Sequence, residues 1–409
     1  MTDVRPRICI LGGGFGGLYT ALRLSQLPWE GHTPPEIVLV DQRDRFLFAP
    51  FLYELVTEEM QTWEIAPPFG ELLAESGVIF RQAEVTAIDI VRQQVQLKSP
   101  DNSGHGTDSE NLDYSQLVIA LGGRTPLPNL PGLKDYGLGF RTLEDAYKLK
   151  QKLKVLEQSN TEKIRVAIVG GGYSGVELAA KLGDRLGTRG RIRIIERGKE
   201  ILGLSPEFNR QQAQASLSAK GIWVDTETTV TAITSHDLTL KFRDQEDVIP
   251  VDLVLWTVGT EVAPLIGSLP LPHNDQGLLK TNAQLQVEGK ANIFALGDGA
   301  ECRDVSGQLI PPTAQGAFQQ ADYCAWNIWA NLTGRPLLPC RYQPLGEMLA
   351  LGIDSAVLNG LGIKLTGPAA VLARRLVYLY RFPTWQHQLT VGLNWLTRPL
   401  GNWLKNEPS

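Results

Sequence analysis

Apolar runs along this chain are short, and glycine-rich turns punctuate them. "RICIL" (Arg7–Leu11) leads into the turn "GGGFGG", a helical spacing of apolar residues from about Gly16, and the run "EIVLVD" ending at Asp41. The same succession recurs as "RVAIV" (Arg165–Val169), the turn "GGGYSG", a helical pattern from about Ser174, and "IRIIE" ending at Glu196. Each half later reaches a short apolar strand followed by glycine, "LVIALGGRTPLP" from Leu117 and "LVLWTVGTEVAP" from Leu253. Short continuous apolar runs between helical patterns predict buried parallel strands. Alternation over Val78–Lys98 and Thr228–Phe242 predicts antiparallel strands instead. A third run, "NIFALGDGA" from Asn292, lacks a counterpart in the second half and is predicted to return to the first. The polar stretch Ser99–Asp113 reads as an exposed hairpin loop that leaves His105 in solvent.

This doubling predicts an α/β fold with two Rossmann-like dinucleotide-binding domains. The expected boundaries are 1–125 with 285–345 for a split first domain, 126–284 for the second, and 346–409 for a C-terminal amphipathic helical region. A chain of 409 residues with 43% hydrophobic content can bury two or three cores. Its net charge of −5 supplies no dominant basic face, which argues against a nucleic-acid partner. The four cysteines, Cys9, Cys302, Cys324 and Cys340, show neither CxxC nor metal-ligand spacing, so no metal site is expected. The first strand begins too early for a signal peptide, and no window is long and apolar enough for a transmembrane helix.

Gly12, Gly14 and Gly17 fit GxGxxG, as do Gly170, Gly172 and Gly175. The first glycine of such a motif permits the tight strand-to-helix turn. The second lets main chain approach a pyrophosphate, and the third lets helix pack on strand. The following helix offers unpaired N–H groups to phosphate. Asp41 and Glu196 close the second strand of each unit, roughly 20 residues on, where a carboxylate can accept from a ribose diol. Gly297 and Asp298 in "FALGDGA", on the strand expected to return to the first domain, can bond a ribityl chain, and Gly122 lies in the glycine pair after Leu117. FAD is therefore assigned to the first domain (Gly12, Gly14, Gly17, Asp41, Gly122, Gly297, Asp298). NAD(P)H is assigned to the second (Gly170, Gly172, Gly175, Glu196, Arg197). Glu196 would repel a 2′-phosphate and Arg197 beside it could pair with one, which leaves NADH and NADPH both open.

The chain resembles the two-dinucleotide-binding, glutathione-reductase-like flavoproteins, and within them the type II NAD(P)H:quinone oxidoreductases. The resemblance rests on "GGGFGGL" (Gly12–Leu18), "FLFAPFLYEL" (Phe46–Leu55), "GGGYSGVELA" (Gly170–Ala179), "FALGDGA" (Phe294–Ala300) and "TAQGAFQQA" (Thr313–Ala321). It implies a non-covalent flavin with nicotinamide on one ring face and a lipid-soluble quinone on the other. Three residues then gain catalytic roles by the same implication: Glu177 near the nicotinamide and flavin, and Gln315 and Gln319 toward the quinone. The helix after the first turn and "RFLFAPFLYELVTEE" carry no cysteine pair, so electrons are expected to leave a flavin directly for an organic acceptor. Where respiratory members carry Lys-Gly, this chain has Leu345-Gly346. Its "GEMLALG" is more similar to the cyanobacterial and plastid branch, which is associated with phylloquinone (vitamin K) biosynthesis and reduces a demethylated naphthoquinone. A respiratory enzyme reducing plastoquinone or ubiquinone, a redox-sensing membrane-associated flavoprotein, and a reductase of protein electron carriers are the alternatives.

After Gly367 the composition shifts. Arg374, Arg375 and Arg381 interrupt an apolar stretch, and Leu389, Leu393, Leu396, Leu400, Trp403 and Leu404 fall on one helical stripe with Arg398 and Lys405 off it. Burying six such side chains would contribute on the order of 10 kcal/mol before ordering costs. Such a helix suits a membrane interface, which makes the expected location the cytoplasmic face of a plasma or thylakoid membrane. The alternative is docking on its own protein or a homodimer interface.

Overall fold

The computed structural model describes residues 5–100 and 109–405, with side chains placed to residue 397 in the last helix. His105 lies outside the described residues, as do the side chains of Arg398, Leu400, Trp403, Leu404 and Lys405. The chain divides into two compact units: one of residues 1–47, 66–124 and 260–343, the other of 48–65, 125–259 and 344–409. These units depart from the ranges expected from sequence. Residues 260–284 pack with the first unit, while 48–65 and the C-terminal segment pack with the second.

In the first unit a five-stranded parallel sheet runs Ile293–Ala295, Gln116–Ile119, Arg7–Leu11, Glu36–Asp41, Ile79–Gln82. Its central strands are covered on both faces, with Ile8, Cys9, Ile10, Leu11, Leu39 and Val40 fully buried, and this explains their unbroken apolar character. The strand from Asn292 does return here, pairing Ile293 with Leu117 and Ala295 with Ile119. Alternation over Val78–Lys98 was misleading at its start. Ile79–Gln82 runs parallel to Glu36–Asp41, and only Glu84–Asp89 and Gln94–Lys98 pair antiparallel. The run is cut at Ala83, whose N–H completes the parallel ladder on the carbonyl of Asp41 at 2.9 Å before the chain turns away. Gln94–Lys98 then pairs antiparallel with Ser109–Asp113, so the last five residues of the stretch read as an exposed loop form a strand, with Leu112 buried.

The second unit repeats the plan. Its parallel sheet runs Trp223–Asp225, Gly190–Ile195, Ile164–Val169, Leu253–Trp256, Gly137–Gly139, and Thr228–Ile233, Asp237–Phe242 and Gln245–Pro250 form an antiparallel sheet. A second three-stranded antiparallel sheet, Glu347–Ala350, Ala356–Gly360 and Ile363–Thr366, precedes two helices, Gly367–Tyr380 and Trp385–Lys405. In both parallel sheets the chain leaves the central strand to one side and later returns on the other. That arrangement opens a crevice at the carboxyl ends of the strands, the usual ligand position in open α/β sheets.

Candidate functional site

Each crevice is floored by its glycine turn, and the two turns agree in which glycines the protein itself requires. Gly12 has φ +97°, and a Cβ there would lie 2.3 Å from the carbonyl oxygen of Ala120; a Cβ on Gly17 would lie 1.8 Å from the carbonyl oxygen of Gly12. Gly170 has φ +110°, and a Cβ on Gly175 would again lie 1.8 Å from the oxygen of Gly170. Packing therefore dictates the first and third glycines. The middle ones are different: a Cβ on Gly14 or on Gly172 would meet no protein atom within 4 Å. Nothing inside the protein requires glycine there, whereas a pyrophosphate approaching the main chain does. Gly14 and Gly172 are also the N-caps of the helices Phe15–Gln26 and Tyr173–Leu186, and neither helix has a side-chain cap. A helix N-terminus is where main-chain N–H groups can meet an anion.

The acidic residues are seated alike. Asp41 accepts from the N–H of Gly13 at 2.6 Å and of Arg43 at 2.8 Å. Glu196 accepts from Gly171 at 2.7 Å and Gly198 at 2.5 Å. Each carboxylate ties the loop after its strand to its glycine turn and stands at the crevice edge. Burial pushes the Asp41 carboxyl above its usual range, and the two main-chain donors and Arg43 oppose that rise. Arg197 is exposed beside Glu196.

Gly297 and Asp298 form the turn at the end of Ile293–Ala295, with Gly297 at φ +74°. Gly122, at φ +67°, sits beyond the adjacent strand with open space where a side chain would point. The turn is anchored by a residue that motif spacing does not single out. Gln320, 3% exposed, accepts the Gly297 N–H at 2.8 Å from the helix Ala314–Thr333. The same helix carries Gln315 and Gln319. Gln315 accepts from the Tyr342 hydroxyl at 3.1 Å. Gln319 clasps the main chain of Gln343, donating to its carbonyl at 2.8 Å and accepting from its N–H at 2.9 Å. One N–H of the Gln319 amide stays available for a ligand carbonyl.

In the second unit Glu177 projects from the helix Tyr173–Leu186 into a buried charge cluster. Its Oε1 accepts from the Ala350 N–H at 2.8 Å and lies 3.9 Å from Arg374 Nη2. Arg374 Nη1 meets Glu54 Oε1 at 2.5 Å, and Lys181 Nζ meets Glu59 Oε2 at 2.5 Å and Glu54 Oε1 at 3.4 Å. Burial raises the Glu177 carboxyl to about 7, while Arg374 and the Ala350 N–H pull it down. A carboxyl poised there can take or give a proton near neutrality.

Arg374 was expected among the basic residues flanking an apolar helix face, but it is 4% exposed and points inward. The opposite face of its helix exposes Leu372, Leu376 and Tyr380. Trp385–Lys405 is docked along one side: His387 bonds the Glu64 carbonyl at 2.8 Å, and Asn394 and Trp395 donate to the buried Glu64 carboxylate at 3.0 and 2.9 Å. Its other side exposes Leu389, Leu393 and Leu396 at 55%, 59% and 73%. One face of this helix thus packs on its own protein and the other is left bare. Among the described residues, no helix is long and apolar enough to cross a membrane. All four cysteines are free and buried, and burial lifts the thiols of Cys9, Cys302 and Cys340 to about 12.

A model of the family described as pyridine nucleotide-disulphide oxidoreductase matches residues 6–321. The chain is 86% identical over 409 residues to demethylphylloquinone reductase NdbB of Synechocystis sp., covering all of both proteins. It is 41% identical to the alternative NAD(P)H-ubiquinone oxidoreductase C1, chloroplastic/mitochondrial, of Arabidopsis thaliana, over 96% of this chain and 81% of that protein. Among solved structures, NDH2 from Plasmodium falciparum in complex with NADH superposes with a TM-score of 0.83 over 96% of this chain and 98% of that one, at 19% identity, a likeness of fold.

Proposed function

The chain belongs to the pyridine nucleotide-disulphide oxidoreductase family, and from that premise we propose that it is an FAD-dependent NAD(P)H:quinone oxidoreductase whose acceptor is a prenylated naphthoquinone of the demethylphylloquinone type. The observation that carries the reading is the 86% identity over the whole length of a protein named for that reaction. The overall step takes a hydride, with its two electrons, from NAD(P)H and a proton from solvent and delivers them to the quinone, leaving NAD(P)+ and quinol. The reaction is read as non-proton-pumping from the likeness to demethylphylloquinone reductase and to the type II NADH:quinone oxidoreductases.

The residues fit the implied cofactor. Gly14 offers the open main chain that a pyrophosphate needs, and Asp41 and Asp298 are the groups we assign to its ribose and ribityl hydroxyls. Bound FAD would supply the redox chemistry, accepting a hydride and releasing two electrons. Gly172 and the N-terminus of Tyr173–Leu186 hold the NAD(P)H pyrophosphate, with Glu196 and Arg197 at its ribose. Glu177 is the acid–base group of that same unit. Gln315 and Gln319 present neutral amides to the quinone, a choice that adds no charge to a slot for an apolar ring.

The exposed leucines of the last two helices support peripheral attachment at a lipid surface, on the cytoplasmic face of a plasma or thylakoid membrane, where such a quinone resides. The substrate assignment is tested by kcat/KM for short-chain naphthoquinone and benzoquinone analogues with the FAD-loaded protein. The naphthoquinone is expected to lead; a benzoquinone lead would return the chain to a respiratory role.

A further inference from the structure

Glu177 and Lys181 lie four positions apart on one face of Tyr173–Leu186, and both are buried. A buried carboxylate must be compensated, and what compensates it fixes both its orientation and its proton affinity. Lys181 is committed elsewhere, to Glu59 at 2.5 Å and Glu54 at 3.4 Å. The cation aimed at Glu177 from another element is Arg374, with Nη2 at 3.9 Å from Oε1.

That guanidinium is held independently of Glu177. Nη1 pairs with Glu54 Oε1 at 2.5 Å, Nη2 donates to the Pro50 carbonyl at 2.6 Å, and the group sits over the rings of Phe51 and Tyr378 at 5.2 and 5.0 Å. A planar fork fixed by a carboxylate, a carbonyl and two rings is preorganised rather than drawn in by its third partner. On the other side, the Ala350 N–H comes from the strand Glu347–Ala350. Glu177 is therefore clamped between one donor from that strand and one cation from Gly367–Tyr380. The remaining titratable groups facing it are Tyr53, Tyr173 and Tyr378, whose phenols burial keeps neutral, and Glu54, whose charge opposes its ionisation.

We propose that Arg374 is the positioning residue for Glu177: it orients the carboxylate against the Ala350 main chain and sets how readily that carboxylate takes a proton. The proposal rests on the reading of Glu177 as the acid–base group. It gives the C-terminal segment a part in the chemistry beyond attachment, because the helix that exposes Leu372, Leu376 and Tyr380 on one face supplies this cation from the other.

The test is the pH profile of kcat for the full-length, FAD-loaded protein with NAD(P)H and a soluble short-chain naphthoquinone. Wild type, Glu177→Gln, Arg374→Gln, Arg374→Lys and the double variant Glu54→Gln/Arg374→Gln are compared, with flavin content and melting temperature as folding controls. Wild type is expected to show a limb near pH 7 that Glu177→Gln erases. Arg374→Gln is expected to move the limb upward by roughly one pH unit or more, and Arg374→Lys to recover most of that shift. The double variant leaves no unpaired buried carboxylate at Glu54, so it decides the matter if the single glutamine variant does not fold. It is expected to shift upward by less, since it also removes the opposing charge. A limb that survives Glu177→Gln would sink the reading of Glu177 itself. A limb that Glu177→Gln erases but that stays in place in the folded Arg374 variants would overturn the proposal for Arg374. Lowered melting temperature with an unmoved limb counts as that second result.

Discussion

Gly171 donates its main-chain N–H to Glu196 across 2.7 Å, so the carboxylate that ends the second strand of this unit also pins the glycine turn that follows the first. Gly13 and Asp41 repeat the relationship at 2.6 Å in the other unit. The acid is thereby fixed at the crevice edge; on the proposed reading its outer lone pairs accept from a ribose diol and its charge faces any 2′-phosphate.

Nucleotide choice follows from that placement. Glu196→Ala is expected to raise the KM for NADH about tenfold, the loss of one charged hydrogen bond, with a smaller effect or a gain for NADPH. Arg197→Ala is expected to weaken NADPH alone. Steady-state kinetics with both nucleotides check this; parallel changes for the two would remove Glu196 and Arg197 from discrimination.

The glycines separate folding from binding. Ala at Gly17 or Gly175 places a Cβ 1.8 Å from a carbonyl oxygen and is expected to prevent folding of its unit. Ala at Gly14 or Gly172 meets nothing in the protein and is expected to leave the melting temperature of the apoprotein within a few degrees. Gly14→Ala should nevertheless lose bound flavin, and Gly172→Ala should keep flavin while NAD(P)H affinity falls. Flavin absorbance and nucleotide titration report each. Full retention of both ligands would mean the open space is not where the pyrophosphates lie.

Removing the last helix would be a blunt probe of attachment, because it strips Asn394 and Trp395 from the buried Glu64 carboxylate. Leu389→Ser, Leu393→Ser and Leu396→Ser act only on the exposed face. Each leucine contributes about 1.5–3 kcal/mol when buried, so the triple variant is expected to leave sedimenting vesicles while its melting temperature and flavin reduction hold. Unchanged sedimentation would exclude this face as the lipid contact.

Much of this was legible because the signals are local. Strand, turn and helix of each glycine unit lie within one stretch of chain, and their apolar spacing states both period and burial. The strand Ile293–Ala295 was readable by elimination, having no counterpart in the second half. Ile79–Gln82 was not, since a period of two gives the faces of a strand but not the direction of its neighbour. Arg374 escaped for another reason. Beside Arg375 in an apolar stretch it reads as a base on a lipid-facing helix, and nothing near it in sequence announces a partner 320 positions away. Gln320 was hidden by its neighbour: motif spacing favours Gln319, which spends most of its amide on Gln343, while Gln320 holds the Gly297 turn.

The central claim is that one nucleotide is held in each glycine crevice and that electrons pass from one to a quinone by way of the other. Anaerobic sequential mixing of the flavin-loaded protein, first with NAD(P)H and then with a short-chain naphthoquinone, measures it directly. The account predicts that the flavin band bleaches and is then restored, both at rates no slower than steady-state turnover. A band that NAD(P)H does not bleach, or that the quinone does not restore, would contradict it.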